Sequence, residues 1–136
     1  METINIIECG DAQRRAETGH PVAIAKTAAY TVPIDTPNGT IFTNSGASGS
    51  VTFTLPVTGS TPGSRITGKF FIFAKVTNQN LVINPGTGAQ INGNTASTGV
   101  FQNVTSSAAT IPACTVTAIS ETSWIVNAGV GTWANA

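Results

Sequence analysis

Residues 50–56 read Ser-Val-Thr-Phe-Thr-Leu-Pro. Successive side chains of an extended chain point to opposite faces, so Val51, Phe53 and Leu55 share one side and Ser50, Thr52 and Thr54 the other. The stretch predicts an amphipathic β-strand, and the same period spreads from it in both directions. Upstream, Tyr30, Val32 and Ile34 alternate, Thr36-Pro37-Asn38-Gly39 predicts a tight turn, and Thr40 to Asn44 predicts the next strand. The polar run Ser45 to Gly49 separates that strand from the first.

Downstream, the turn-rich run Thr58 to Gly63 precedes Lys-Phe-Phe-Ile-Phe-Ala-Lys-Val at 69–76. Phe70, Ile72, Ala74 and Val76 alternate there with Phe71, Phe73 and Lys75, so both faces are apolar over most of its length. Such a strand is central in a sheet or covered by a neighbouring subunit. Leu81 and Ile83 predict a short strand halted by Pro85, and Asn92-Gly93 predicts a hairpin. Residues 95 to 110 are weakly patterned and read as loop. Cys114 to Ser120 and Ser123 to Asn127 are the last predicted strands, joined across Glu121-Thr122, with Trp124 and Val126 on one face and Ile125 on the other. Strands at this spacing without a helical pattern in the body predict an all-β fold, a small antiparallel sandwich or barrel.

Charge divides the chain in two. Of six basic and six acidic residues, Glu2, Glu8, Asp11, Arg14, Arg15, Glu17 and Lys26 all precede residue 27, and from Val76 onward Glu121 stands alone. Residues 1–27 therefore read as an extended N-terminal arm, with a short helical turn after Asp11, and residues 28–136 as the β-body. A helix of one or two turns needs a partner to persist, so the arm is expected to order against something else. A body of this size buries only about two-thirds of its unfolded surface, which favours packing against copies of itself.

The same composition limits chemistry. Net charge is zero, and Arg65, Lys69 and Lys75 are the body's only basic residues. Binding to nucleic acid by counterion release needs clustered Lys and Arg, so nucleic acid is not an expected partner, and these three read as edge protection and solubility. No run approaches the ~20 apolar residues of a membrane span, and the start lacks a signal-peptide pattern, so synthesis in the cytoplasm is expected. Cys9 and Cys114 read as free thiols. His20 is the single imidazole and has no metal-ligand spacing around it. Asp35 and Glu121 are the body's only acids, too few for a hydroxyl nucleophile with its base or for a paired-carboxylate site unless they converge. The Gly-rich run 86–93 lacks the spacing and following helix of a phosphate loop. The chain thus reads as a non-enzyme with no cofactor and no metal. Tyr30, Trp124 and Trp133 offer a possible sugar-stacking platform, against the simpler reading of core and tail packing.

With the strands laid out, the body resembles the small β-domains of tailed-bacteriophage virion proteins, namely head-decoration (cement) proteins and tail-fibre modules. The residues that carry the resemblance are Tyr30-Thr31-Val32, Ile41-Phe42-Thr43-Asn44, Gly46 to Gly49 leading into Val51 to Pro56, Asn80 to Gly86, and Ser123 to Val126 followed by Gly131-Thr132-Trp133. The resemblance implies a homotrimer on the capsid surface of the virion, stabilising the shell, with the major capsid protein as partner. It also implies an arm that pairs with capsid elements, in which Arg14, Arg15, His20, Pro21, Val22 and Ile24 are the expected contacts and Pro21 to Ala25 adds to the capsid as an edge strand. Phe71, Phe73 and Trp133 are the expected subunit-interface residues. A short chain opening on Met1 fits decoration better than a fibre module. The alternative expectation is a carbohydrate- or receptor-binding module of a tail fibre.

Overall fold

The computed structural model describes residues 22–60, 63–95, 101–103 and 111–135. Among them the fold is all-β: β1 (Ala23–Ala25), β2 (Tyr30–Thr31), β3 (Ile41–Thr43), β4 (Val51–Thr54), β5 (Phe70–Ala74), β6 (Leu81–Asn84), β7 (Gln90–Ile91), β8 (Asn94–Thr95), β9 (Phe101–Asn103), β10 (Ala113–Ala118), β11 (Ser123–Val130) and β12 (Trp133–Asn135). They form two sheets, a seven-stranded one in the order β1-β3-β5-β10-β11-β7-β8 and a five-stranded one in the order β12-β9-β6-β4-β2.

The antiparallel expectation needs correction, because half of the pairings are parallel. From β1 to β6 the chain alternates between sheets, so that β1, β3 and β5 stack in parallel in one and β2, β4 and β6 in the other. Three coils of a flattened solenoid result, covering residues 23–31, 41–54 and 70–84. The tight turn Thr36 to Gly39 does not fold a strand back on its neighbour; it carries the chain from β2 in one sheet to β3 in the other, with Gly39 at φ 84° as the left-handed position demands. Antiparallel strands then close the body: β10 lies between β5 and β11, and β9 between β6 and β12. Two hairpins were legible. Asn92 and Gly93, both at positive φ, join β7 to β8, and the Glu121 turn joins β10 to β11. Residues 95–110, read as loop, contain β9.

The core lies between the two sheets. Register places Ile24, Phe42, Phe73 and Cys114 side by side across β1, β3, β5 and β10, all turned inward. Facing them, Tyr30, Phe53 and Ile83 form a row across β2, β4 and β6. The rows meet through rings: Phe42 stacks on Phe73 at 5.5 Å between centroids, and Phe53 lies 5.4 Å from Phe42 and 5.3 Å from Phe73. Contacts of this kind add about 0.5–1.5 kcal/mol each beyond area burial. This packing across sheets defines a sandwich rather than a barrel.

Asn44, fully buried just after β3, holds adjacent coils in register. Its Oδ1 accepts the backbone N–H groups of Val76 (2.7 Å) and Thr77 (3.1 Å), and its Nδ2 donates to the carbonyl of Gln79 (2.9 Å). A coil-to-coil corner has no ladder partners for these backbone groups, and the amide side chain supplies them.

Candidate interaction surfaces

Within the segment 1–27 expected as an arm, the described residues belong to the body. Ala23–Ala25 already belongs to the seven-stranded sheet as its edge: the Val22 carbonyl accepts the Ile41 N–H at 2.9 Å, and the Lys26 N–H donates to the Thr43 carbonyl at 3.0 Å. Ile24 packs against the core, and the Lys26 ammonium sits 4.0 Å from the Tyr30 ring centroid. Val22 and Ile24, expected as capsid contacts, are therefore engaged within this chain, Val22 through its backbone and Ile24 through its side chain. The segment expected to augment a capsid sheet is an edge strand of this one. Arg14, Arg15, His20 and Pro21 lie outside the described residues, as do Cys9 and the helical turn after Asp11.

The expected subunit-interface residues also move. Phe71 and Phe73 are 0% exposed, Phe71 lying 6.0 Å from Trp124 and Phe73 within the ring cluster, so neither is available to a second chain. Both faces of 69–76 are apolar, and sequence parity alone could not decide which face turns inward. Trp133 is half-buried against the core and its Nε1 donates to the Val130 carbonyl at 3.1 Å. Trp124 is buried too, which removes it from any sugar platform with Tyr30 and Trp133. Its Nε1 has no hydrogen-bond partner among the described residues.

The other face of the same strands is uncharged. Phe70, Ile72 and Ala74 of β5 project outward, flanked in register by Ile41 and Thr43 of β3 and by Thr117, Thr115 and Ala113 of β10. Ile125 and Asn127 of β11 continue the rows, and Ile119 and Val130 stand exposed at the margins. The five strands β1, β3, β5, β10 and β11 contain no Asp, Glu, Lys, Arg or His. The outer face of the five-stranded sheet is different, with Thr31, Thr52, Thr54 and Asn84 accompanied by Val82.

The charged groups of the body have structural places. Glu121 fastens the β10–β11 turn to the loop before β5. Thr58 Oγ1 and the Ile66 N–H (3.2 Å) donate to its Oε1, and the Thr67 N–H (3.1 Å) and Oγ1 donate to its Oε2. The hydroxyls of Thr58 and Thr67, more than the two backbone donors, hold its carboxyl down to about 2. Asp35 lies exposed on the turn between β2 and β3 and is not among its partners. Lys75, read as a solubilising residue, is only 4% exposed, because it follows the inward parity of Phe71 and Phe73. Arg65 is exposed as expected. Burial pushes the Cys114 thiol up to about 12. Among the described residues no three His, Cys, Asp or Glu side chains come together, and no helix is long and apolar enough to cross a membrane.

No family model matches the chain, and no curated protein does either.

Proposed function

We propose that the protein is a structural component of a tailed-phage virion, a decoration protein that binds the outer capsid surface as a homotrimer and stabilises the shell. The reading rests on the division of labour within the chain. The observation that carries it is the position of β1: the first described strand is an edge strand of the larger sheet, and in sequence it directly follows the charged segment. A charged tether anchored at one end in a rigid sandwich suits attachment to a lattice, where many weak contacts repeated by symmetry give avidity. The body would clamp neighbouring capsomers and the segment 1–21 would anchor it, with the major capsid protein as partner.

The edge position of β1 also fixes where the test must cut. Removing residues 1–27 would delete β1 and uncover Phe42, whereas removing 1–21 leaves every described strand. Chains 1–136 and 22–136 would be co-sedimented with purified capsids of the source virus. Capsid binding by the full chain and its loss in a folded 22–136 chain are the expected results. Equal binding by both would refute the anchoring role, and binding by neither would refute the decoration role.

A further inference from the structure

We infer that the outer face of the seven-stranded sheet is covered by a second copy of this chain. The two outer faces of one sandwich are built from different chemistry. On the five-stranded sheet, Thr31, Thr52 and Thr54 carry hydroxyls, Asn84 an amide whose Oδ1 accepts the Gly86 N–H at 2.9 Å, and Val82 stands among them. On the seven-stranded sheet, Ile41, Phe70, Ile72, Ala74 and Ile125 occupy outward positions beside Thr43, Thr115, Thr117 and Asn127. A half-buried sheet normally alternates apolar-in with polar-out. Here the alternation breaks at Ile41, along β5 and at Ile125 of the seven-stranded sheet, while β10 keeps it with Thr115 and Thr117 outward, and on the other sheet it breaks at Val82.

Size and charge select the occupant. Five strands of three, three, five, six and eight residues, about 3.3 Å per residue and spaced about 4.8 Å apart, present roughly 400 Å² in plan, apolar and hydroxyl side chains together. A standard interface takes roughly 800 Å² from each partner. The face supplies about half of that, and Ile119 and Val130 at its margins extend it. A surface with no ionisable group offers nothing to a charged partner, and it complements another surface without charge. Around a two-fold or three-fold axis such a face meets its own copies, where any central charge would confront itself. None is present across the five strands. The inference concerns self-association alone and does not depend on capsid binding.

The test is sedimentation equilibrium of the full chain from about 1 to 100 µM, with two lysine substitutions made on opposite faces. Ile72→Lys sits at the centre of the proposed interface, and Val82→Lys is its counterpart on the outer face of the five-stranded sheet. Wild type and Val82→Lys should both be oligomeric. Ile72→Lys should weaken association at least ~30-fold, the size of a central hot-spot loss, while circular dichroism keeps the β-signal. Ile72→Thr, which retains the β-branch a strand favours, serves if the lysine variant does not fold, and should also weaken association. A monomeric wild type at 100 µM would overturn the inference, as would an Ile72→Lys or Ile72→Thr protein that folds and associates like wild type. Failure of capsid binding with self-association intact would count against the proposed function and leave this inference standing.

Discussion

Replacing Asn44 with Ala should be among the most damaging single changes outside the ring cluster, and its magnitude follows from three hydrogen bonds. Asn44 is 0% exposed, and truncation leaves the N–H groups of Val76 and Thr77 and the carbonyl of Gln79 without their side-chain partner. Each lost bond is worth about 1 kcal/mol net, and a buried group left unsatisfied costs about 1–3 kcal/mol. Val76 is exposed at its side chain, so water can reach part of this corner and the lower end applies. The sum is about 3 kcal/mol, a large fraction of the 5–15 kcal/mol that holds a typical domain together. Urea denaturation followed by tryptophan fluorescence would measure it, at fixed protein concentration because association also contributes to apparent stability. Gln79→Ala is the matched control, since Asn44 uses only the Gln79 backbone carbonyl, and it should stay within about 0.5 kcal/mol of wild type. A loss below about 1 kcal/mol for Asn44→Ala, or equal losses for both variants, would refute the claim that this amide fixes the coils in register.

Other outcomes follow from single positions. The carboxyl of Glu121 is held at about 2 by Thr58 and Thr67, so its stabilisation is present above the ordinary carboxylate value near 4.5 and is lost as pH falls towards 2; the stability gap between wild type and Glu121→Gln should close across that window in pH-dependent urea titrations. Cys114 has the opposite sign, its raised thiol value lending stability at neutral pH that is lost as pH climbs from about 9 towards 12; in a Cys9→Ser background no thiol should react with a disulfide reagent at pH 8 until urea is added. Gly86 and Gly88 both have positive φ, but a Cβ on Gly86 would meet Val57 Cγ1 at 2.8 Å and the Leu55 carbonyl oxygen at 2.9 Å, whereas one on Gly88 meets open space. Gly88→Ala should cost about 1–2 kcal/mol for conformation alone, and Gly86→Ala clearly more, as compared by thermal melts. Phe73→Ala should lose about 3–5 kcal/mol of folding stability, as a core residue does, instead of merely dissociating subunits.

How much of this was legible in the sequence depends on whether the signal was local. Period-2 alternation identified β3, β4, β5, β6, β10 and β11, because which side of a strand is apolar is written in that strand. Pairing is not written there. A turn such as Thr36 to Gly39 serves equally to return a strand beside its neighbour or to cross to the opposite sheet, so the parallel coils had no local signature. Asn44 read as the end of a strand, while its function lies 32 and more residues downstream at Val76, Thr77 and Gln79. For the expected subunit interface, Phe71 and Phe73 of the strand 69–76 lie on its inward face, in the core. Its inward side became visible only when Phe42 and Phe53 were found against Phe73. Glu121, conspicuous as the only charge after Val76, is accounted for by four donors from Thr58, Ile66 and Thr67, none of which its neighbours in sequence announce.

The most direct test of the central claim is the position of the protein on intact virus. Electron microscopy of particles bearing a gold-labelled copy should place label over the outer shell in a regular array with three copies at each site. Label confined to the tail tip, or particles without label, would contradict a decoration protein.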